Sequence, residues 1–177
     1  AELINRLEDE ERERRSKLTL RERLMAIQRS HVAENLIAST RDGRELTFTI
    51  KNVGKDWVAL DVTEPSELRG PVISALHALR SVRLPRECVK ESLGTPLGEV
   101  SDHDISALTG KARLAEKVNL AFVLRDVSRR RKQVLIHTTA GSMTGTIDHV
   151  GLDHLDITEQ AGRQMLALRD VLYVQMI

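Results

Sequence analysis

Apolar residues along this chain recur at every second position in several short runs. Val134 and Ile136, then Ile147, then Leu155 and Ile157 keep this alternation, the period at which a strand puts side chains on one face. Leu36 and Ile37, then Leu46, Phe48 and Ile50, and then the run Trp57–Val62 supply the same signal nearer the start. Turn residues fall between the runs. Arg41-Asp42-Gly43-Arg44 reads as a hairpin tip. Gly141 and Gly145 sit where a tight hairpin and a strongly bent strand need a residue without a Cβ. Further bends are expected at Val53–Asp56 and Val150–Asp153. Short alternating strands closely spaced by such turns predict a small, highly bent antiparallel sheet of the barrel kind.

The pattern occurs twice. Thr49-Ile50 followed by Val53-Gly54-Lys55-Asp56 matches Thr146-Ile147 followed by Val150-Gly151-Leu152-Asp153. Ala78-Leu79-Arg80-Ser81-Val82 matches Ala167-Leu168-Arg169-Asp170-Val171. Matched blocks in the same order predict two copies of one barrel. The polar stretch from Thr63 to Pro71 makes the first copy longer, as a surface loop.

Helical periods flank the strands. Residues 1–17 begin with Leu3, Ile4 and Leu7 and then alternate Glu and Arg, which predicts a solvated helix held by i,i+4 pairs. Thr19 and Glu22 form a capping box, and Leu20, Leu24, Ile27 and His31 make a stripe expected to lie across the first barrel. Pro85, Gly94, Pro96 and Gly98 read as a linker. Ser101 and Asp104 restart a helix that Gly110 interrupts, and Lys111–Lys132 is expected as one long helix. The expected organisation is α+β: a charged helical segment over 1–31, a first barrel over 32–90, a linker and basic helix over 91–132, and a second barrel over 133–177. The final strand, Val171–Ile177, is apolar on both faces and is expected at a free edge, where it would pair with a second copy in an isologous dimer.

Composition narrows the chemistry. Apolar residues make up 41% and charged residues 30%, which suits a globular domain in water, and the net charge is +1. Only Phe48, Trp57, Phe122 and Tyr173 are aromatic, so the core must be aliphatic. The single cysteine, Cys88, excludes an internal disulfide and a cysteine zinc site and fits a cytoplasmic location. No apolar run approaches the roughly 18 residues of a membrane span. A chain opening on Ala1 suggests a start trimmed from a longer sequence.

Charge is uneven along the chain. Residues 111–132 hold eight basic and two acidic residues, whereas 133–177 hold two basic and five acidic. Arg129, Arg130, Arg131 and Lys132 form a cluster suited to phosphate, or equally to capping their own helix and pairing with the acidic second barrel.

Enzyme motifs are missing: there is no Gly-rich phosphate loop, nucleophile elbow or Walker motif. His137, His149 and His154 stand near Asp148, Asp153 and Asp156, but without a metal-ligand spacing. No catalysis, metal or cofactor is expected.

The second copy resembles the Sm-like fold, a five-stranded SH3-like barrel behind a helix. Gly145-Thr146-Ile147-Asp148-His149-Val150 fits the family's G-x-h-x-x-h stretch. His154-Leu155-Asp156 stands where a histidine or aromatic, Met and Asn are found, and Leu168-Arg169-Asp170 resembles the apolar-Arg-Gly motif. The doubled arrangement is also similar to a group of actinobacterial doubled-barrel proteins of no assigned activity. In RNA-binding members the residue before Met stacks on a base, the Asn hydrogen-bonds it and the Arg covers its other face. The resemblance therefore implies contact roles for His154 and Arg169, and for Trp57 and Arg80 in the first copy. Asp156 and Ala59 replace the Asn, so neither base pocket is complete. The functional expectation is a non-catalytic module that binds a protein partner through barrel edges and helices. The alternative is an RNA- or DNA-binding regulator using the basic helix and the degenerate pockets.

Overall fold

A computed structural model describes residues 1–30, 35–95 and 114–177. His31, Pro96, Gly98, Ser101, Asp104, Gly110 and Lys111–Arg113, each part of an expectation from the sequence, lie outside the described residues.

Two helices open the chain, α1 (Glu2–Ser16) and α2 (Leu20–Ser30). The capping box between them is present: Glu22 N–H donates to Thr19 Oγ1 (3.1 Å) and Thr19 N–H returns to Glu22 Oε1 (3.3 Å). Helix α1 buries no residue, whereas α2 buries Leu24, Met25 and Ile27. Five strands follow: β1 (Leu36–Thr40), β2 (Glu45–Val53), β3 (Trp57–Glu64), β4 (Gly70–Ala75) and β5 (Leu79–Arg83). The stretch after Leu84 holds a further helix, α3 (Arg86–Ser92), which seats Cys88 in the core against α2. Buried Cys88 and Ser92 give this short helix a face to bury within the stretch read as linker.

The basic helix is also shorter than its charge pattern implied. Helix α4 runs only from Leu120 to Arg129, because Asn119 caps it by accepting from Phe122 N–H (3.0 Å). It buries Leu120, Ala121, Leu124 and Val127. Strands β6 (Gln133–Thr138), β7 (Gly141–Val150), β8 (His154–Glu159), β9 (Gly162–Ala167) and β10 (Val171–Met176) complete the fold.

The chain is α+β, and the ten strands among the described residues form one antiparallel sheet in the order β5-β1-β2-β3-β4-β10-β6-β7-β8-β9. Each half runs through the same relative order, last strand first, and the halves join where β4 meets β10. There Tyr173 faces Ser74, Val174 faces Ile73 and Gln175 faces Val72. The expectation that the final strand is a free edge is therefore overturned. β10 lies between β4 and β6, with Val171, Leu172, Tyr173 and Val174 all buried. A strand apolar on both faces needs cover on both, and this chain supplies it itself. Among the described residues the sheet ends at β5 on one side and β9 on the other.

The two halves share hydrogen bonds as well as order. Gly54 N–H donates to Trp57 O (2.8 Å), and Gly151 N–H donates to His154 O (2.7 Å). Leu76 N–H reaches Asp56 O (2.8 Å), and Leu168 N–H reaches Asp153 O (2.9 Å). The pairing of β2 with β3 shifts register between Ile50 and Asn52, as that of β7 with β8 does between Ile147 and His149. A helix arginine braces each bend: Arg21 Nε donates to Gly54 O (2.6 Å), and Arg125 Nη2 donates to Gly151 O (3.2 Å).

These bonds keep one sequence match and shift the other. Val53–Asp56 and Val150–Asp153 occupy equivalent bends. The second block does not align as its letters suggest. A 3-10 turn over Leu76–Ala78 holds the place that Leu168–Asp170 holds in the second half, so His77, not Arg80, corresponds to Arg169.

Candidate interaction surfaces

The bends and 3-10 turns of both halves converge on the amino end of α4 and enclose a cavity of about 590 Å³. Asp56 and His77 come from the first half, and Asp153, His154 and Arg169 from the second. Leu120, Leu168 and Met165 supply much of its apolar wall. Asp56 is committed to the scaffold: its Oδ1 accepts from Leu120 N–H at 2.7 Å and so holds the start of α4. Asp153 instead meets His154 Nδ1 at 3.0 Å. That hydrogen bond holds the Asp153 carboxyl below the usual carboxylate range, with the nearby Arg169 charge acting in the same direction.

Of the residues expected to contact a partner, His154 and Arg169 are brought together in this cavity. Trp57 and Arg80 are not assembled into a second one. The Trp57 ring lies over Gly54 as the His154 ring lies over Gly151, so the two rings hold equivalent places. The indole, however, is buried, and its N–H donates to Val118 O (2.9 Å). A ring covered this way has no face left for a base. Arg80 stands exposed on edge strand β5, and the turn position opposite Trp57's bend belongs to His77.

The basic cluster follows α4 with all four side chains exposed. Arg130 pairs with Asp126 within the same helix (3.2 Å). None of Arg129, Arg130, Arg131 and Lys132 makes an ion pair with residues 133–177 among the described residues. The pairing with the second half expected from charge balance is thus not made. Arg130 and Lys132 instead flank a groove of about 460 Å³ between α4 and the β3–β4 face, together with Lys51.

The histidines disperse. His149 and His154 stand 6.4 Å apart between ring centroids, edge to face. His137 lies elsewhere, buried at the joint and stacked on Tyr173 at 4.3 Å. Among the described residues no group of three His, Cys, Asp or Glu side chains is placed to hold a metal ion. Burial pushes the Cys88 thiol pKa up, away from the thiolate that reactivity needs. Among the described residues no helix is long and apolar enough to cross a membrane.

Three features went unread in the sequence. Asn119 is a good N-cap residue directly before an apolar period, a signal that was present. His77 follows Leu76 as Arg169 follows Leu168, and was hidden by the better letter match three residues on. The Asp42–Tyr173 hydrogen bond (2.6 Å) joins residues that no local pattern connects.

No family model, curated protein or solved structure matches this chain.

Proposed function

We propose that the chain is a non-catalytic interaction module, built from two Sm-like barrels over 32–90 and 133–177, which engages protein through its free sheet edges. One observation carries the reading. The joint between halves is an edge pairing of β4 with β10, and the strands holding the corresponding places, β9 and β5, have no further strand partner among the described residues. An open edge presents a row of unmatched backbone donors and acceptors, a template for a further strand. Because β9 and β5 correspond to the two different sides of the internal joint, their natural pairing is head to tail between chains. An isologous dimer through the final strand is no longer available, since β10 is already paired on both sides.

The test is amide hydrogen exchange across a concentration series, with light scattering on the same samples. Edge pairing gives a mass that grows with concentration and selective protection of Leu79–Arg83 and Gly162–Ala167. A strictly monomeric mass at tens of micromolar, with both edges exchanging freely and unchanged by cell extract, would remove the reading.

A nucleic-acid reading has one specific support, the shared cavity of His154 and Arg169. If it holds, the purified protein carries an absorbance excess at 260 nm. Single-stranded RNA then binds with steep salt dependence and is lost on Arg169→Ala. Protein free of nucleic acid, with no RNA binding at low salt, rejects it.

A further inference from the structure

Helix α1 bears one stripe with two fates. Leu3, Ile4, Leu7, Glu11 and Arg14 follow at helical spacing and share a face. The carboxyl half of the stripe is seated on the body: Arg14 Nη1 donates to Leu93 O (2.9 Å), and Arg14 Nε closes on Glu11 Oε2 (2.9 Å). The amino half runs on beyond that anchor, Leu3 lying about 16 Å up the helix axis from Arg14. There the same face turns apolar and stays in water, with Leu3 66%, Ile4 60% and Leu7 55% exposed.

A matching groove lies beside α4. Trp57, Leu114, Val118, Phe122 and Val123 line a cavity of about 490 Å³ beside α4, with Arg129 at its rim. Leu114 and Phe122 are 63% and 53% exposed. Asp126 at the same rim is already paired with Arg130, and Arg129 has no carboxylate partner among the described residues. Charge is complementary too. The first eleven residues carry five acidic groups and one basic, whereas residues 114–132 carry six basic and two acidic.

We infer that α1 of a second copy of this chain docks in this groove, its Leu3–Ile4–Leu7 strip entering beside Phe122 and Trp57 and its acidic flanks meeting Arg129. This is the helix-in-groove mode, in which an apolar face at helical spacing fills a slot with a charged rim. The occupant comes from another chain because α1 is held on the body at Arg14, while its own strip stays in water and contributes nothing to the groove lining. Each chain offers one strip and one groove, so a reciprocal exchange closes at two chains. The inference rests on the interaction-module reading and assigns its helical face a partner.

Cross-linking of the intact chain tests it. Leu7→Cys chains are mixed with Phe122→Cys chains under mild oxidation, with Leu7→Cys plus Leu152→Cys as the control pair. Leu152 is 90% exposed and does not line the groove. Cys88 is buried and stays silent. Docking gives a disulfide-linked pair forming at least tenfold faster than the control. It also gives a concentration-dependent change in the emission of Trp57, the single tryptophan. Leu7→Ser and Phe122→Ser, both surface changes, should each weaken this association about tenfold or more. Equal rates in the two mixtures, or an intrachain disulfide alone in the double variant, would overturn the inference. Edge pairing is read separately: protection at β5 and β9 unaffected by Leu7→Ser leaves the sheet reading intact even if the docking fails.

Discussion

Tyr173 Oη donates to Asp42 Oδ2 at 2.6 Å, tying the second half's last strand to the first half's hairpin turn across 131 residues. Asp42 also accepts from Thr40 Oγ1, so the turn carboxylate is fixed before the phenol reaches it. Burial and the Asp42 carboxylate together raise the Tyr173 pKa well above its ordinary value. Tyr173→Phe should destabilise the fold by about 1.5–3 kcal/mol, the range for a hydrogen bond to a charged group. Urea midpoints at neutral pH measure this.

The sign of the pH effect follows from the same bond. A raised folded pKa means that the unfolded chain ionises first, so this stabilisation is present below pH about 10 and is lost as pH rises beyond it. Tyr173→Phe should flatten the alkaline limb of a stability-versus-pH curve. An unchanged limb would place the phenol outside the joint.

His137 works in the opposite window. Burial and the nearby Arg44 charge lower its pKa, against smaller raising effects of Asp42 and Gln175. Its Nε2 makes no hydrogen bond of good geometry among the described residues. The unfolded chain then takes up the proton first, and stability should fall as pH drops below about 6.5. His137→Phe, which keeps a ring against Tyr173, should reduce that acid loss in thermal melts between pH 7 and 5.

Asp56 and Asp153 occupy equivalent bends with unequal duties. Asp56→Ala removes the acceptor for Leu120 N–H and should cost about 1 kcal/mol, with Asp56→Asn recovering most of it. Asp153 is exposed and does not hold the start of α4, so Asp153→Ala should leave the midpoint essentially unchanged. Equal costs would mean that α4 does not lean on Asp56.

A Cβ at Gly54 would overlap the Trp57 indole, which is buried and held by Val118 O. The corresponding Cβ at Gly151 would meet the His154 ring, which is 40% exposed and lines the cavity rather than being buried. Gly54→Ala should therefore cost about 2 kcal/mol or more, and Gly151→Ala well under half as much. Denaturant titration of the two variants side by side checks the order.

What was legible in the sequence was local. Strand periods, the Thr19–Glu22 box, the Gly43 turn and the bends at Gly54 and Gly151 are set by hydrogen bonds and sterics within a few residues, so adjacent letters record them. The register of the second repeat block was not legible. Short apolar stretches with one basic residue recur by chance, and only the bonds from Leu76 to Asp56 and from Leu168 to Asp153 single out the right one. Trp57 and Arg80 were misjudged as a pair for that reason.

The chain by itself determined that it would make short antiparallel strands, bent at glycine, behind charged helices. It also marked Val171–Met176 as a strand needing cover on both sides. Only the tertiary structure decided what that cover is. β4 and β10 are distant in sequence, and strand pairing rewards backbone groups that every residue carries. No letter therefore names the partner, and the same indifference leaves β5 and β9 open to whatever strand comes next.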